Sequence, residues 1–327
     1  MAAGHDHHHG HDHGHDHDRD HGHGHGHEHH HGHHHAPASF GTAFAVGAVL
    51  NIGFVAAQIG FGLMAHSMAL LADAVHNAGD VLALLLAWGA AAAGRRAPSR
   101  VRTYGGGRSS ILAALINAAV LLVGVGAIAV EASRRFSGPE PISTGIVVWV
   151  GLAGVVVNGV TAWMFSRGHD DLNIRATFLH MAGDAAVSLG VVVAALAIQY
   201  TGLLWLDPLT SLAIAGVIAV STWGVLRDAA NLAVDGVPRG IRVPDVEAYL
   251  RALPGVEEVH DLHIWGLSTT STALTAHLVH GGPGSGEALV LRACQELQAR
   301  FRIDHTTLQI ESLATASACR LRPADVV

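Results

Sequence analysis

Two histidine and aspartate pairs recur at one spacing in this chain: His76 with Asp80, and His180 with Asp184, each four residues apart. Residues i and i+4 share a face of an α-helix, so the imidazole and carboxylate of each pair can reach one ion lying beside the helix. Imidazole nitrogen and carboxylate oxygen are ordinary zinc ligands, and two such pairs on facing helices supply a tetrahedral shell. Two aspartates also cancel the charge of a divalent cation, which makes the cluster tolerable in a medium of low dielectric constant. Asp73 and Asn77 fall on the same face as His76. Asp73 is expected behind the ligands, orienting them rather than binding the ion itself. The competing explanation is that these groups form buried ion pairs or bond neighbouring backbone without metal.

Both pairs lie inside long apolar segments, and that weighs against the competing explanation. A carboxylate at the centre of a membrane helix costs roughly 2.5–3.5 kcal/mol on insertion scales, so its presence there needs a cause. Of the 327 residues, 50% are hydrophobic and 14% charged, against about a quarter charged in soluble domains. Six segments predict spanning helices: Phe40 to Met64, Ser67 to Ala93, Ile111 to Val130, Ile146 to Phe165, Ile174 to Tyr200 and Leu209 to Leu226. The first, 25 residues without a charge, is long enough at about 1.5 Å per residue to cross an apolar layer about 30 Å thick. Short connections make neighbouring helices antiparallel. Arg95, Arg96, Arg100, Arg102 and Arg108 crowd the second connection, whereas the first has no arginine. Basic loops stay cytoplasmic, so both termini are expected in the cytoplasm, although Arg134 and Arg135 near the third connection pull the other way. Asn51, Asn117 and Asn158, isolated amides in apolar segments, are expected to hydrogen-bond between helices.

After about Asp235 the pattern becomes that of a soluble domain. A helix over Pro244 to Leu253, strands over Val256 to Gly266 and Thr272 to His280, a helix over Glu287 to Phe301 and a strand over Thr306 to Glu311 predict a small two-layer α+β domain. So short a domain buries a modest core and is expected to lean on a second copy. The expected organisation is a disordered His-rich cytoplasmic tail (1–38), a six-helix transport domain (39–235), a cytoplasmic α+β domain (236–315) and a C-terminal tail (316–327). All 19 basic residues are arginine and the net charge is -7, which gives nucleic-acid binding no support. Two cysteines, Cys294 and Cys319, form no disulfide framework and fit a reducing setting.

The motifs resemble those of the cation diffusion facilitators, in the branch that moves zinc. The stretch SMALLADAVHNAGD (67–80), then TYGGGR (103–108), FLHMAGD (178–184), Asp207-Pro208 and VHDLHIW (259–265) follow the family's order and spacing. The similarity covers nearly everything after residue 40. It implies six membrane helices, a ferredoxin-like, metallochaperone-like cytoplasmic domain, a homodimer, a bacterial plasma membrane and exchange of metal for protons. It also implies that His76, Asp80, His180 and Asp184 bind the transported ion. Some members hold a further metal in the connection between the second and third helices; residues 95–108 contain no histidine, so that site is expected to be missing. Ser109 and Ser110 stand where many members have an acid.

Members often bind regulatory metal at positions like His260, His277, His305 and Glu311, with His263 as a substitute for one of them. Strand alternation puts His305 and Glu311 on the face away from the core; the alternative is a set of solvated surface histidines. Of the 27 histidines, 18 fall within residues 1–35, interleaved with Gly and Asp. Such a tract builds no core, and weak multivalent metal capture is its expected role, an expression tag or dispensable tail being the alternative. The overall expectation is a zinc/proton antiporter that needs no cofactor, with zinc as substrate and as regulatory ion. Cobalt, nickel or cadmium could occupy similar shells. The rival from another class is a membrane-anchored metal sensor or store that binds without transport.

Overall fold

A computed structural model describes residues 42–166, 172–281 and 286–323. The His-rich tract lies outside them. Among the described residues six helices are long and apolar enough to cross a membrane: α1 (Thr42–Ala65), α2 (Met68–Gly94), α3 (Ser109–Ser137), α4 (Thr144–Phe165), α5 (Leu172–Thr201) and α6 (Leu206–Ala233). A small α+β domain follows, with α7 (Val243–Arg251), β1 (Val256–Gly266), β2 (Thr272–His280), α8 (Gly286–Phe301), β3 (His305–Glu311) and α9 (Leu313–Ala318).

Two helices run further than apolarity alone indicates. α3 continues past Val130 to Ser137, where Arg134 and Arg135 reach back to Glu131 at 3.7 and 3.5 Å, pairs at helical spacing. Arg135 also donates to the His66 carbonyl at 2.6 Å. α6 continues past Leu226 through charged Asp228, which pairs with Arg239 at 2.5 Å. Hydropathy sees the apolar part of a helix, whereas hydrogen bonding and ion pairs carry it beyond.

The start of α2 is fastened with unusual care. A helix N-terminus leaves backbone donors without partners. Here the Ser67 hydroxyl accepts from Leu70 N at 3.2 Å. The Asp207 carboxylate, from the first turn of α6, accepts from Ser67 Oγ at 2.5 Å, Met68 N at 2.6 Å and Ala69 N at 3.3 Å. A buried carboxylate thereby finds three donors, and the register of α2 against α6 is fixed.

In the α+β domain β1 pairs antiparallel with β2, and β2 parallel with β3. α7 and α8 cover one face of this sheet; Leu250, Leu274, Leu278 and Leu297 form its fully buried centre. α9, not expected from sequence, is six residues long, too short for a periodic signal. Ser312 caps it by accepting from Thr315 N at 3.2 Å, and it packs on β2 and β3. The TYGGGR segment joins the two domains. Gly106 fits there because a Cβ would meet the Ala93 carbonyl oxygen at 2.2 Å, and Gly105 has φ +69. Arg108 pairs with Asp235, Thr269 N donates to Ser110 Oγ at 3.1 Å, and the Tyr104 and His305 rings meet edge to face at 5.5 Å.

Candidate metal centres

α2 and α5 lie antiparallel, and their ionisable groups pair across the gap as well as along α5. His76 Nε2 stands 2.8 Å from Asp184 Oδ1, and His180 Nε2 stands 3.6 Å from Asp80 Oδ1 and 3.6 Å from Asp184 Oδ2. Ligand atoms of His76, Asp80 and Asp184 all fall within 4.8 Å of one another, and the two imidazole rings meet edge to face with centroids 6.3 Å apart. Two nitrogens and two carboxylates thus converge from opposite helices, a donor set suited to a tetrahedral cation. His76 Nδ1 is buried without a hydrogen-bond partner. The side chains of Asp80 and His180 are 37% and 30% exposed, those of His76 and Asp184 only 17% and 5%.

Asp73 is not among these ligand atoms. Its Oδ2 accepts from Gln58 Nε2 at 2.8 Å and from Ser188 Oγ at 3.1 Å, and Gln58 Oε1 accepts from Asn77 Nδ2 at 2.8 Å. Gln58 was missed from sequence, although an amide alone in an uncharged span is the same signal that singles out Asn51. For Asn117 and Asn158 the expected interhelical bonds are not seen at Asn117 Oδ1 and Asn158 Nδ2, which are buried without partners.

A second group lies in the α+β domain, where His260 on β1, His277 on β2, Glu311 on β3 and Cys319 just after α9 bring ligand atoms within 4.8 Å of one another. His260 and His277 are register partners with ring centroids 5.1 Å apart. Glu311 Oε2 is 3.4 Å from His260 Nε2, and Oε1 is 3.1 Å from His277 Nδ1. Cys319 Sγ is 3.7 Å from the same Nδ1. The other ring nitrogen of His277 faces Asp261 Oδ2 at 3.4 Å, while Asp261 Oδ1 meets His263 Nε2 at 2.8 Å. Asp261 does this from a β-bulge at φ +52, a left-handed conformation that non-glycine residues rarely adopt. A carboxylate on one imidazole nitrogen fixes the tautomer that presents the other to a metal.

The structure does not bring His305 to this group. It begins β3 and Glu311 ends it, so about 20 Å of strand separates them; Cys319 occupies the place instead. Nor is Glu311 solvated: it shares the outer face with His305, but α9 covers that end and leaves it 3% exposed. His263 is engaged by Asp261. Both ring nitrogens of His260 and Glu311 Oε2 are buried without hydrogen bonds. Such orphans are costly unless something else satisfies them. Arg322 holds the segment after α9 by donating to both oxygens of Glu258 at 2.9 and 2.7 Å, and that contact lowers the Glu258 pKa below the ordinary carboxylate range.

Comparison with known proteins agrees with this architecture. The family profile described as the cation efflux transmembrane domain matches residues 44–232, and that of the cation efflux protein cytoplasmic domain matches 238–313. The cation efflux system protein CzcD of Alcaligenes sp. is 36% identical over 262 residues, covering 79% of this chain and 82% of that one. The zinc transporter ZitB of Escherichia coli is 33% identical over 265 residues, 80% and 84% of the two chains. A cadmium, cobalt and zinc/H(+)-K(+) antiporter of Bacillus subtilis is 32% identical over 272 residues, 81% and 87% of the two. The solved metal-bound C-terminal domain of the CzcD transporter from Cuprividus metallidurans is 39% identical and covers 22% of this chain and 99% of that domain, with a TM-score of 0.21. The chain belongs to the cation diffusion facilitator family. It is a six-span integral membrane transporter that moves divalent metal cations out, and not an enzyme.

Proposed function

We propose that the chain exports zinc in exchange for protons, with His76, Asp80, His180 and Asp184 as ligands of the transported ion. The observation that carries this reading is the crossed pairing, 2.8 Å from His76 to Asp184 and 3.6 Å from His180 to Asp80, which unites two half-sites that neither helix completes alone. Two carboxylates neutralise a divalent ion, and four protein donors leave no position that a hydrolytic water would need. Metal binding requires neutral imidazoles and ionised carboxylates, so protons compete for every ligand. An acidic exterior therefore favours release of the metal and protonation of the empty site, and the return of the protonated site completes the exchange. Relatives named as zinc transporters and as a cadmium, cobalt and zinc antiporter support zinc first and cadmium or cobalt next; nickel fits the same donor types. Both termini in the cytoplasm, a bacterial plasma membrane and a homodimer held through the α+β domain belong to the same reading.

The α+β group is a regulatory zinc site in this proposal. His260, His277, Glu311 and Cys319 fit zinc because the buried orphan atoms of His260 and Glu311 would gain a partner. Zinc flux into proteoliposomes under an imposed pH gradient tests the transport reading. His76→Ala and Asp184→Ala are each expected to abolish proton-driven flux; wild-type flux in both would refute the ligand assignment. Binding of zinc without any flux by the wild-type protein would favour a sensor or store.

A further inference from the structure

Exposure is uneven across the transport cluster. Asp80 and His180, the ligands nearer the end of α2 and the start of α5, are about a third exposed. In the opposite direction exposure falls away: Asp184 is nearly buried, and Gln58, Asp73 and Ser188 are each 0% exposed. These three and Asn77 form one hydrogen-bonded layer spanning α1, α2 and α5. Asp73 lies one turn from His76 and Ser188 one turn from Asp184, so the layer sits directly against the ligands. α4 backs onto it, since a Cβ on Gly154 would meet Ser188 Oγ at 2.9 Å. Beyond it Leu70, Val191 and Ala195 are buried. The layer therefore closes the four ligands off on the Asp73 side.

The direction of the hydrogen bonds is set by Asp73. A carboxylate only accepts, so the Gln58 amide must turn its NH2 to Asp73 and its carbonyl to Asn77, whose NH2 must donate. Gln58 thus touches both polar groups of α2 in the layer while belonging to another helix. Apolar packing alone would close the passage without burying a carboxylate. A polar layer closes it with contacts that have a defined alternative, because each group can exchange its partner for water when the helices part.

We propose that Gln58, Asp73, Asn77 and Ser188 form the gate that shuts the transport site on the side where α2 begins and α5 ends, with Gln58 holding it closed. This rests on the reading of His76, Asp80, His180 and Asp184 as the transport site. Export then requires the Gln58 to Asp73 contact to break in each cycle. The layer has to reform before the other side opens, or the ion leaks down its gradient.

The experiment measures zinc movement through full-length protein in liposomes with a zinc gradient and no pH gradient, beside proton-driven flux. Gln58→Glu sets two carboxyls against each other, and Gln58→Leu removes the amide. Each is expected to raise the uncoupled zinc leak at least tenfold, while the zinc KM of driven flux stays within about twofold. Combining Gln58→Glu with Asp73→Asn reverses carboxylate and amide across the same gap and restores every contact of the layer. That double change is expected to return the leak to the wild-type level, which loss of folding would not do. A leak at the wild-type level in both single variants, or one the double change leaves unchanged, would overturn the gate. If only one single variant inserts into the membrane, its leak decides in the same way. Failure of the ligand assignment is read separately, from driven flux in His76→Ala and Asp184→Ala.

Discussion

The two candidate metal-ligand groups use nearly the same residue types and differ in almost everything else. In the membrane, two helices each contribute one imidazole and one carboxylate, and two of the four side chains remain about a third exposed. In the α+β domain, three adjacent strands and the end of a short helix contribute one side chain each, and the imidazole and carboxylate at its centre are 7% and 3% exposed. The first group is symmetric and held between two separate helices. The second is asymmetric, sits on a hydrogen-bonded sheet, and includes a soft sulfur donor. A site that passes an ion on needs ligands able to separate, whereas a site that keeps one benefits from a rigid support and a thiolate.

This contrast breaks most readily at Asp184. Asp184→Ala removes the carboxylate that faces both imidazoles and leaves a buried partner uncompensated. A divalent ion then loses one ligand and half of its compensating charge, so driven zinc flux is expected to fall by two orders of magnitude or more, while zinc affinity of the α+β group is unchanged. Flux in proteoliposomes and equilibrium zinc binding measure the two separately. Loss of both together would mean that the groups are not independent. Cys319→Ser comes next. It is expected to weaken the α+β group for zinc roughly tenfold and for cadmium by more, because the harder hydroxyl replaces a soft donor. Driven flux at saturating zinc should persist. Asp261→Asn acts one step further out: His277 keeps its place, but the amide carries no charge and has one accepting oxygen where the carboxylate faced both His277 and His263, and a roughly tenfold loss of zinc affinity is expected. Equal losses for zinc and cadmium in Cys319→Ser would show that sulfur does not bind the ion.

The helical group was legible because its spacing is local. His76 and Asp80, or His180 and Asp184, announce a shared face within four residues, and their charge inside an apolar run demands an explanation. The crossed pairing was not legible, since it depends on how α2 and α5 are set against each other. The strands β1 and β2 were placed at their observed bounds, but their register and the bulge at Asp261 arise from pairing, which no local pattern encodes. His305 was placed with Glu311 because alternation gives the face and says nothing of distance along the strand. Cys319 was set aside as a lone thiol in a tail; α9 turns that tail back over β3. Gln58 carries the same signal as Asn51, but its partners Asp73 and Asn77 lie on another helix, which no local pattern reveals.

The smallest effect is expected where the chain after Cys319 is held. Arg322 grips Glu258 through two hydrogen bonds, yet the side chains are 36% and 31% exposed, so water screens the pair. Exposed pairs contribute little, and Arg322→Ala should weaken zinc binding at the α+β group only a few-fold, by loosening the segment that presents Cys319. The pH behaviour follows from the lowered pKa of Glu258. A carboxyl whose folded pKa is depressed contributes fully above its unfolded pKa and loses that contribution as pH falls through the folded one. At pH 7 and at pH 8 Glu258 is ionised in both states, so the ratio of wild-type to variant affinity should be the same at the two values. A ratio that grows between pH 7 and 8 would locate the effect in another titrating group. High salt should shrink the ratio, because the contact is exposed, while leaving the tenfold effect of Asp261→Asn in place.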